Sequence, residues 1–338
     1  MEPLTLKLHL FKILPFAMIL TIAAAMNNPV NARPIVTIDG SSTVYPITEA
    51  VAEDFQIAKK GGIRVTVGVS GTGGGFKKFC RAEVDIVNAS RPIQHSEMEA
   101  CRAAGVQYVE MPIAFDALTV AVNPSNTWSR TMTVAELKKI WEPSAQGKIT
   151  KWNQINPAWP DKRIKLFGAG ADSGTFDYFT EAIVGKAKSS RGDFTASEDD
   201  NVLVQGISTD KYSLGFFGFA YYIENQKKVN VVAVDNGKGG IIPSAETVEN
   251  GSYRPLSRPI FVYVNAKAAD KPEVSEFVNF YMKNAPALVK EVKYFPLPAE
   301  VYQLNLKYLD ERKVGTAFGG ESKMDLTIDE LLKLERRL

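Results

Sequence analysis

The chain has little of several things that usually announce a function. Among 338 residues there are two cysteines and two histidines, and 40 Lys and Arg face 38 Asp and Glu, a net of +2. So few histidines exclude a His-rich metal site and any scheme that uses imidazole repeatedly as acid and base. Balanced charge leaves no basic field to attract nucleic acid or an anionic membrane. No apolar run reaches the ~20 residues that a membrane-spanning helix needs. What is present is a 45% apolar composition, enough for ordinary cores and, by length, about two domains. Disordered, collagenous and small disulfide-scaffold chains are thereby excluded.

Residues 1–32 read as a secretory signal. Lys7 and Lys12 supply a basic start, Ile13 to Met26 is nearly continuous apolar sequence, and Val30-Asn31-Ala32 offers small residues for a peptidase. Removing that segment, which carries His9 as well, leaves a near-neutral chain of net +1 with His95 as its histidine. Export implies an oxidising compartment, where Cys80 and Cys101 can form a structural disulfide, the alternative being two buried thiols.

Short β-branched runs then alternate with amphipathic stretches. Strands are expected at Ile35–Asp39, Ile63–Val69, Val84–Asn88, Val106–Met111, Ala117–Val122 and Ile164–Gly168. Helices are expected near 44–58, 73–82, 133–140, 173–184 and 274–283, and a charged amphipathic helix at Lys323–Leu338. This alternation predicts an α/β fold with a largely parallel sheet. An internal echo, Ala117-Leu-Thr-Val-Ala-Val-Asn123 against Arg258-Pro-Ile-Phe-Val-Tyr-Val-Asn265, marks two crossover strands. The chain is expected to be a two-lobed clamshell with a double hinge. Residues 33–118 and 258–338 form one lobe, and 119–257 the other.

One turn chemistry occurs three times, each time between a strand and a helix: Gly40-Ser-Ser-Thr43, Ser70-Gly-Thr-Gly-Gly-Gly75 and Asp172-Ser-Gly-Thr175. Glycine admits a close ligand, Ser or Thr adds a hydroxyl, and the helix start presents unpaired N–H groups and partial positive charge. A single copy is ordinary capping; three copies predict a site for a tetrahedral oxyanion. Arg91, in Ser90-Arg91-Pro92 after a strand, is the candidate countercharge. Asp116 is a candidate proton acceptor that would favour monohydrogen phosphate over sulfate, which has no O–H to donate. Asp85 is expected to bond nearby backbone.

Six segments carry a resemblance: Asp39–Pro46, Ser70–Gly75, Asn88-Ala-Ser-Arg-Pro-Ile93, Phe115–Pro124, Ile149-Thr-Lys-Trp-Asn153 and Asp172–Thr175. Together they are similar to the periplasmic phosphate-binding proteins of the phosphate ABC transporter, the PstS type. Phe76–Cys80 and Phe176–Glu181 look like the cyanobacterial SphX branch. The resemblance implies a type II periplasmic-binding clamshell that holds one inorganic phosphate and delivers it to a membrane ABC permease. By motif it implies Ser42, Thr43, Thr72, Ser173, Gly174 and Thr175 as phosphate ligands, with Ser70 and Gly73 close by; Ser90, Arg91 and Asp116 complete the expected set from the reading of the residues themselves. The implied protein works as a periplasmic monomer, without cofactor, metal, nucleic acid or catalysis. One departure is plain. The enterobacterial pattern has Asp where Arg91 stands, and Arg at about Ala169. Three rival readings remain open: a receptor for sulfate, molybdate or tungstate, a phosphate-ester hydrolase using Ser42, Ser70 or Ser173, and a surface adhesin or sensor that uses the clamshell only for partner contact. The hydrolase would need a positioned base, and neither a Gly-x-Ser-x-Gly elbow nor a P-loop is present.

Overall fold

The computed structural model describes residues 33–321 and 326–337. The signal-peptide reading of residues 1–32 lies outside them, as do residues 323–325 and 338 of the expected C-terminal helix. Among the described residues no helix is long and apolar enough to cross a membrane.

The chain opens as βαβ units: β1 (Ile35–Gly40), α1 (Tyr45–Ala58), β2 (Arg64–Val67), α2 (Gly71–Phe79), β3 (Ile86–Ala89) and α3 (His95–Ala103). In α1, Pro46 sits at the first turn, and Ile47, Val51 and Phe55 recur every fourth residue on the buried face. β1 pairs in parallel with β2 and with β3, so the turns after β1 and β3 emerge at the same edge.

Next comes β4 (Tyr108–Val122), fifteen residues, all buried. The sequence suggests two separate strands here, with Pro112 between them; the structure makes one. The return strand Ser257–Asn265 pairs antiparallel with β4 from Tyr108 to Ala117, and its register shifts between Ile260 and Phe261, opposite Ala114 and Pro112. An irregularity of this kind accommodates a proline that has no N–H for the ladder. From Leu118 to Val122, β4 pairs instead with Ser213–Gly218. That strand is parallel to Lys165–Ala169, which in turn is parallel to Thr195–Ser197.

The sheet is therefore mixed rather than largely parallel: parallel at both ends and antiparallel in the middle. The return strand, from late in the chain, inserts between β3 and β4. Both central strands are buried along their whole length, as expected of strands covered on both faces. The two echo segments end alike. Asn123 Oδ1 accepts from the Ser125 N–H, and Asn265 Oδ1 from those of Lys267 and Ala268. Asp85 accepts from the Thr37 N–H and Oγ1 and from Lys271. The helix expected at 173–184 is α-helical over Gly174–Phe179 and widens to a π turn over Thr180–Val184. Near the C-terminus, helix Ile328–Glu335 is docked through buried Leu331 and Leu332.

Cys80 at the end of α2 is bonded to Cys101 in α3, a sequence separation of 21. Closing a loop of that length stabilises by about 3 kcal/mol through the unfolded chain. The double variant Cys80→Ser/Cys101→Ser is expected to lose about that much in urea unfolding; an unmoved midpoint would show that the crosslink contributes nothing.

Candidate functional site

The three hydroxyl-glycine turns meet. Thr43, after β1, has its Oγ1 2.8 Å from that of Thr175 at the start of helix Gly174–Phe179. Thr72 in the first turn of α2 lies 3.1 Å, hydroxyl to hydroxyl, from Ser90 after β3, and its Oγ1 accepts from the Ser90 N–H. Gly174 closes the ring: a Cβ there would come within 2.2 Å of Ser90 Oγ and 2.6 Å of Thr72 Oγ1. Gly71 makes a second close approach. Its φ is +75°, and a Cβ would sit 2.1 Å from the Asp172 carbonyl oxygen. Only glycine lets these two helix starts come so near. Thr43, Thr72, Ser90 and Thr175 are each at most 1% exposed.

Two of the expected residues have local duties. Ser173 caps its helix by accepting from the Thr175 N–H at 3.1 Å. Ser70 donates to Asp39, which also pairs with Lys78, so its hydroxyl proton is already engaged. Ser42 is buried next to Thr43, and the Gly73 N–H donates to the Asp172 carbonyl at 3.4 Å.

The cation in the cluster is not the one expected. Arg258, at the start of the return strand, donates to the Gly174 carbonyl at 2.7 Å, to Thr175 Oγ1 at 2.8 Å and to Thr43 Oγ1 at 3.4 Å. It also pairs with Asp116 Oδ2 at 3.2 Å. The two residues are direct partners across the antiparallel ladder, and each is 1% exposed. The second Asp116 oxygen, Oδ1, is buried without a partner. Burial pushes the Asp116 carboxyl up to about 6, against the pull of Arg258. The signal in the sequence was available: an arginine opening an otherwise apolar strand has to be solvated by something.

Arg91 is buried nearby but is already matched. Its Nε donates to Asp177 at 2.8 Å, Nη1 to the Pro92 carbonyl and to Glu97, and Nη2 to Glu97. Burial opposes its charge and the two carboxylates more than offset that, so its ionisation is held above the ordinary range. Glu97 is doubly used, since it also accepts from the Gln94 N–H at the start of α3. Burial raises the Asp177 carboxyl, with Arg91 and Lys188 opposing. Arg91 thus brings no surplus positive charge, in contrast to its expected part as the countercharge.

His95 opens α3 with a 69% exposed side chain beside Glu321, while the cluster hydroxyls are buried. Among the described residues no group of three or more His, Cys, Asp and Glu side chains could hold a metal ion.

A mixed α/β sheet whose crossover strands carry a buried Arg–Asp pair, with glycine-bearing helix starts converging on it, defines an oxyanion-receptor architecture. The family model described as "PBP superfamily domain" matches residues 27–285. Protein SphX of Synechocystis is 55% identical over 95% of each chain, and protein SphX of Synechococcus elongatus 51% over 96% and 95%. Phosphate-binding protein PstS of Staphylococcus saprophyticus is 35% identical over 85% of this chain and 86% of its own. The chain belongs to the PBP superfamily and, within it, to the SphX branch of the PstS-type proteins. Among solved structures, a "possible phosphate binding protein" of Planctomyces limnophilus is 48% identical with a TM-score of 0.62, over 82% of this chain and 98% of that one. An ABC-type phosphate transport receptor of Vibrio cholerae, 23% identical with a TM-score of 0.61 over 78% and 100%, shares the fold.

The Arg258–Asp116 pair yields a signed prediction. Removing the guanidinium leaves a buried carboxylate unmatched, which typically destabilises by about 3–5 kcal/mol. That penalty falls on the charged form, so it is present at high pH and relieved as Asp116 takes up a proton. Arg258→Met is expected to lower stability to urea more at pH 8 than at pH 5, and adding Asp116→Asn is expected to flatten the difference. An equal loss at both pH values would contradict the pairing.

Proposed function

We propose that the protein is an extracytoplasmic receptor that captures one inorganic phosphate between two lobes and delivers it to a membrane ABC permease. The lobes are residues 33–118 with 258–338, and residues 119–257. The observation that carries this reading is the convergence of Thr43, Thr72, Ser90, Gly174 and Thr175 on the Arg258–Asp116 pair. These groups supply hydroxyl donors, helix-start N–H groups, a guanidinium fork and one carboxylate oxygen without a partner. A tetrahedral anion offers the hydroxyls acceptors in place of one another, and the fork suits two of its oxygens. The unpartnered Asp116 oxygen accepts the O–H of monohydrogen phosphate. Sulfate would leave that acceptor buried beside an anion with no proton to share.

Capture here needs no chemistry. Bonds from Thr43 and from Thr175 to one anion can both exist only when the proposed lobes are together, so the ligand favours the closed form by that difference. The Arg91–Asp177 ion pair spans the same boundary and adds to closure. The permease recognises the closed form and opens it. The hydrolase reading needs a base that deprotonates a hydroxyl, and His95 is out in solvent.

Titration calorimetry with phosphate, arsenate, sulfate and molybdate at pH 6 and pH 8 tests the reading. Phosphate is expected to bind at least tenfold more tightly than sulfate, a gap of about 1.4 kcal/mol or more. Asp116→Asn is expected to narrow the ratio. No heat with any oxyanion would overturn the function, and an unaltered ratio would overturn the part given to Asp116.

A further inference from the structure

A second buried carboxylate stands behind the first. Asp200, at the first position of helix Asp200–Thr209, is 3% exposed. Among the described residues its side chain takes one hydrogen bond, from the Gly218 N–H to Oδ2 at 3.5 Å. Gly218 ends the strand that pairs with β4 at Leu118, and both carboxylates flank it. A Cβ on Gly218 would lie 3.6 Å from Asp200 Oδ2 and 4.0 Å from Asp116 Oδ1. The charged and titratable groups nearest Asp200 come from the sheet, from its own chain and from the neighbouring helix, where Glu224 also acts on Tyr221. Asp116 of β4 and Arg258 of the return strand act from the sheet, and Asp199 precedes it on its own chain. Tyr221 of helix Phe219–Glu224 and Tyr294 are buried phenols whose ionisation is pushed up by burial, so they stay neutral. The guanidinium of Arg258 acts on both buried carboxylates. With both ionised, this corner carries a net negative charge before any anion arrives.

We propose that Asp200 is the proton-uptake group of this site, so that capturing phosphate at neutral and mildly alkaline pH loads a proton onto Asp200. The proposal rests on the phosphate-receptor reading. Adding a dianion beside two buried carboxylates and one guanidinium is strongly unfavourable in a medium of low dielectric. A proton taken from solvent removes one negative charge. It goes to Asp200 rather than Asp116 because Arg258 holds the Asp116 charge through Nε and Nη2, whereas Asp200 has a single long backbone bond. The helix start gives the Asp200 anion modest support, but burial dominates. Burial pushes its carboxyl up to about 7, with the Gly218 N–H opposing and the Asp116 charge adding to the rise. A bound dianion raises it further. The sign follows from linkage: a ligand that binds together with a proton binds more weakly as pH rises, by up to tenfold per pH unit for one proton.

Phosphate titrations of the full protein at pH 8, in buffers of different ionisation enthalpy, read the protons exchanged on binding. Phosphate's own protonation contributes equally to wild type and Asp200→Asn and cancels in their difference. The expected result is that wild type takes up close to one proton more than Asp200→Asn, and that affinity falls more steeply above pH 7 in wild type. Equal proton counts in two proteins that both bind phosphate would overturn the part given to Asp200 and leave the receptor reading standing. No phosphate binding by wild type would overturn both. Should Asp200→Asn fail to fold, infrared difference spectra of wild type decide: a protonated-carboxyl band rising on phosphate addition supports the proposal, and its absence overturns it.

Discussion

Arg258 and Asp116 face each other across two antiparallel strands, both sealed from solvent, and the rest of the site is arranged around that pair. A guanidinium so deep in a fold must be met on every side. Asp116 meets it from β4, the Gly174 carbonyl and Thr175 from one helix start, and Thr43 from the turn after β1. The buried pair is not by itself a source of much stability, because desolvation offsets much of the attraction. Its consequence is positional. It fixes where the guanidinium sits relative to helix starts that carry partial positive charge of their own.

Two buried arginines divide the work. Arg258 bonds one carboxylate and several neutral acceptors, and in the proposal above protonation of Asp200 is what leaves its charge matched only once. Arg91 has two carboxylates, Glu97 from its own neighbourhood and Asp177 from the helix beyond β4, and is electrostatically spent. The same side-chain type, bonded to two carboxylates, ties segments of the chain together. Charge count separates the two arginines, and charge count depends on residues far apart in the chain.

That dependence explains what could be read from the sequence. The three turns were legible because their chemistry is local: Gly, Ser and Thr between a strand and a helix mean close approach and capping wherever they occur. The α/β class and the two crossover strands were legible for the same reason, from periodicity and from the echo of 117–123 in 258–265. The antiparallel centre of the sheet was not, because the return strand, starting at Ser257, reaches its place between β3 and β4 from about 150 residues beyond β4's start at Tyr108. The part played by Arg258 was hidden by the same distance, since only strand register sets it opposite Asp116. Ser90-Arg91-Pro92 looked like the countercharge because nothing nearby reveals Asp177, 86 positions on. Ser70 looked like a ligand until Asp39, brought beside it by the turn after β2, took its hydroxyl.

The central claim is that the anion is held by the convergent turns and Arg258 rather than by Arg91. A crystal structure of the phosphate-bound protein tests it most directly. The account predicts phosphate oxygens within hydrogen-bonding distance of Arg258, Thr43, Thr175 and the Thr72–Ser90 hydroxyls, with Arg91 still paired to Glu97 and Asp177. A phosphate bonded to Arg91, with Arg258 paired only to Asp116 and out of reach of the anion, would contradict it.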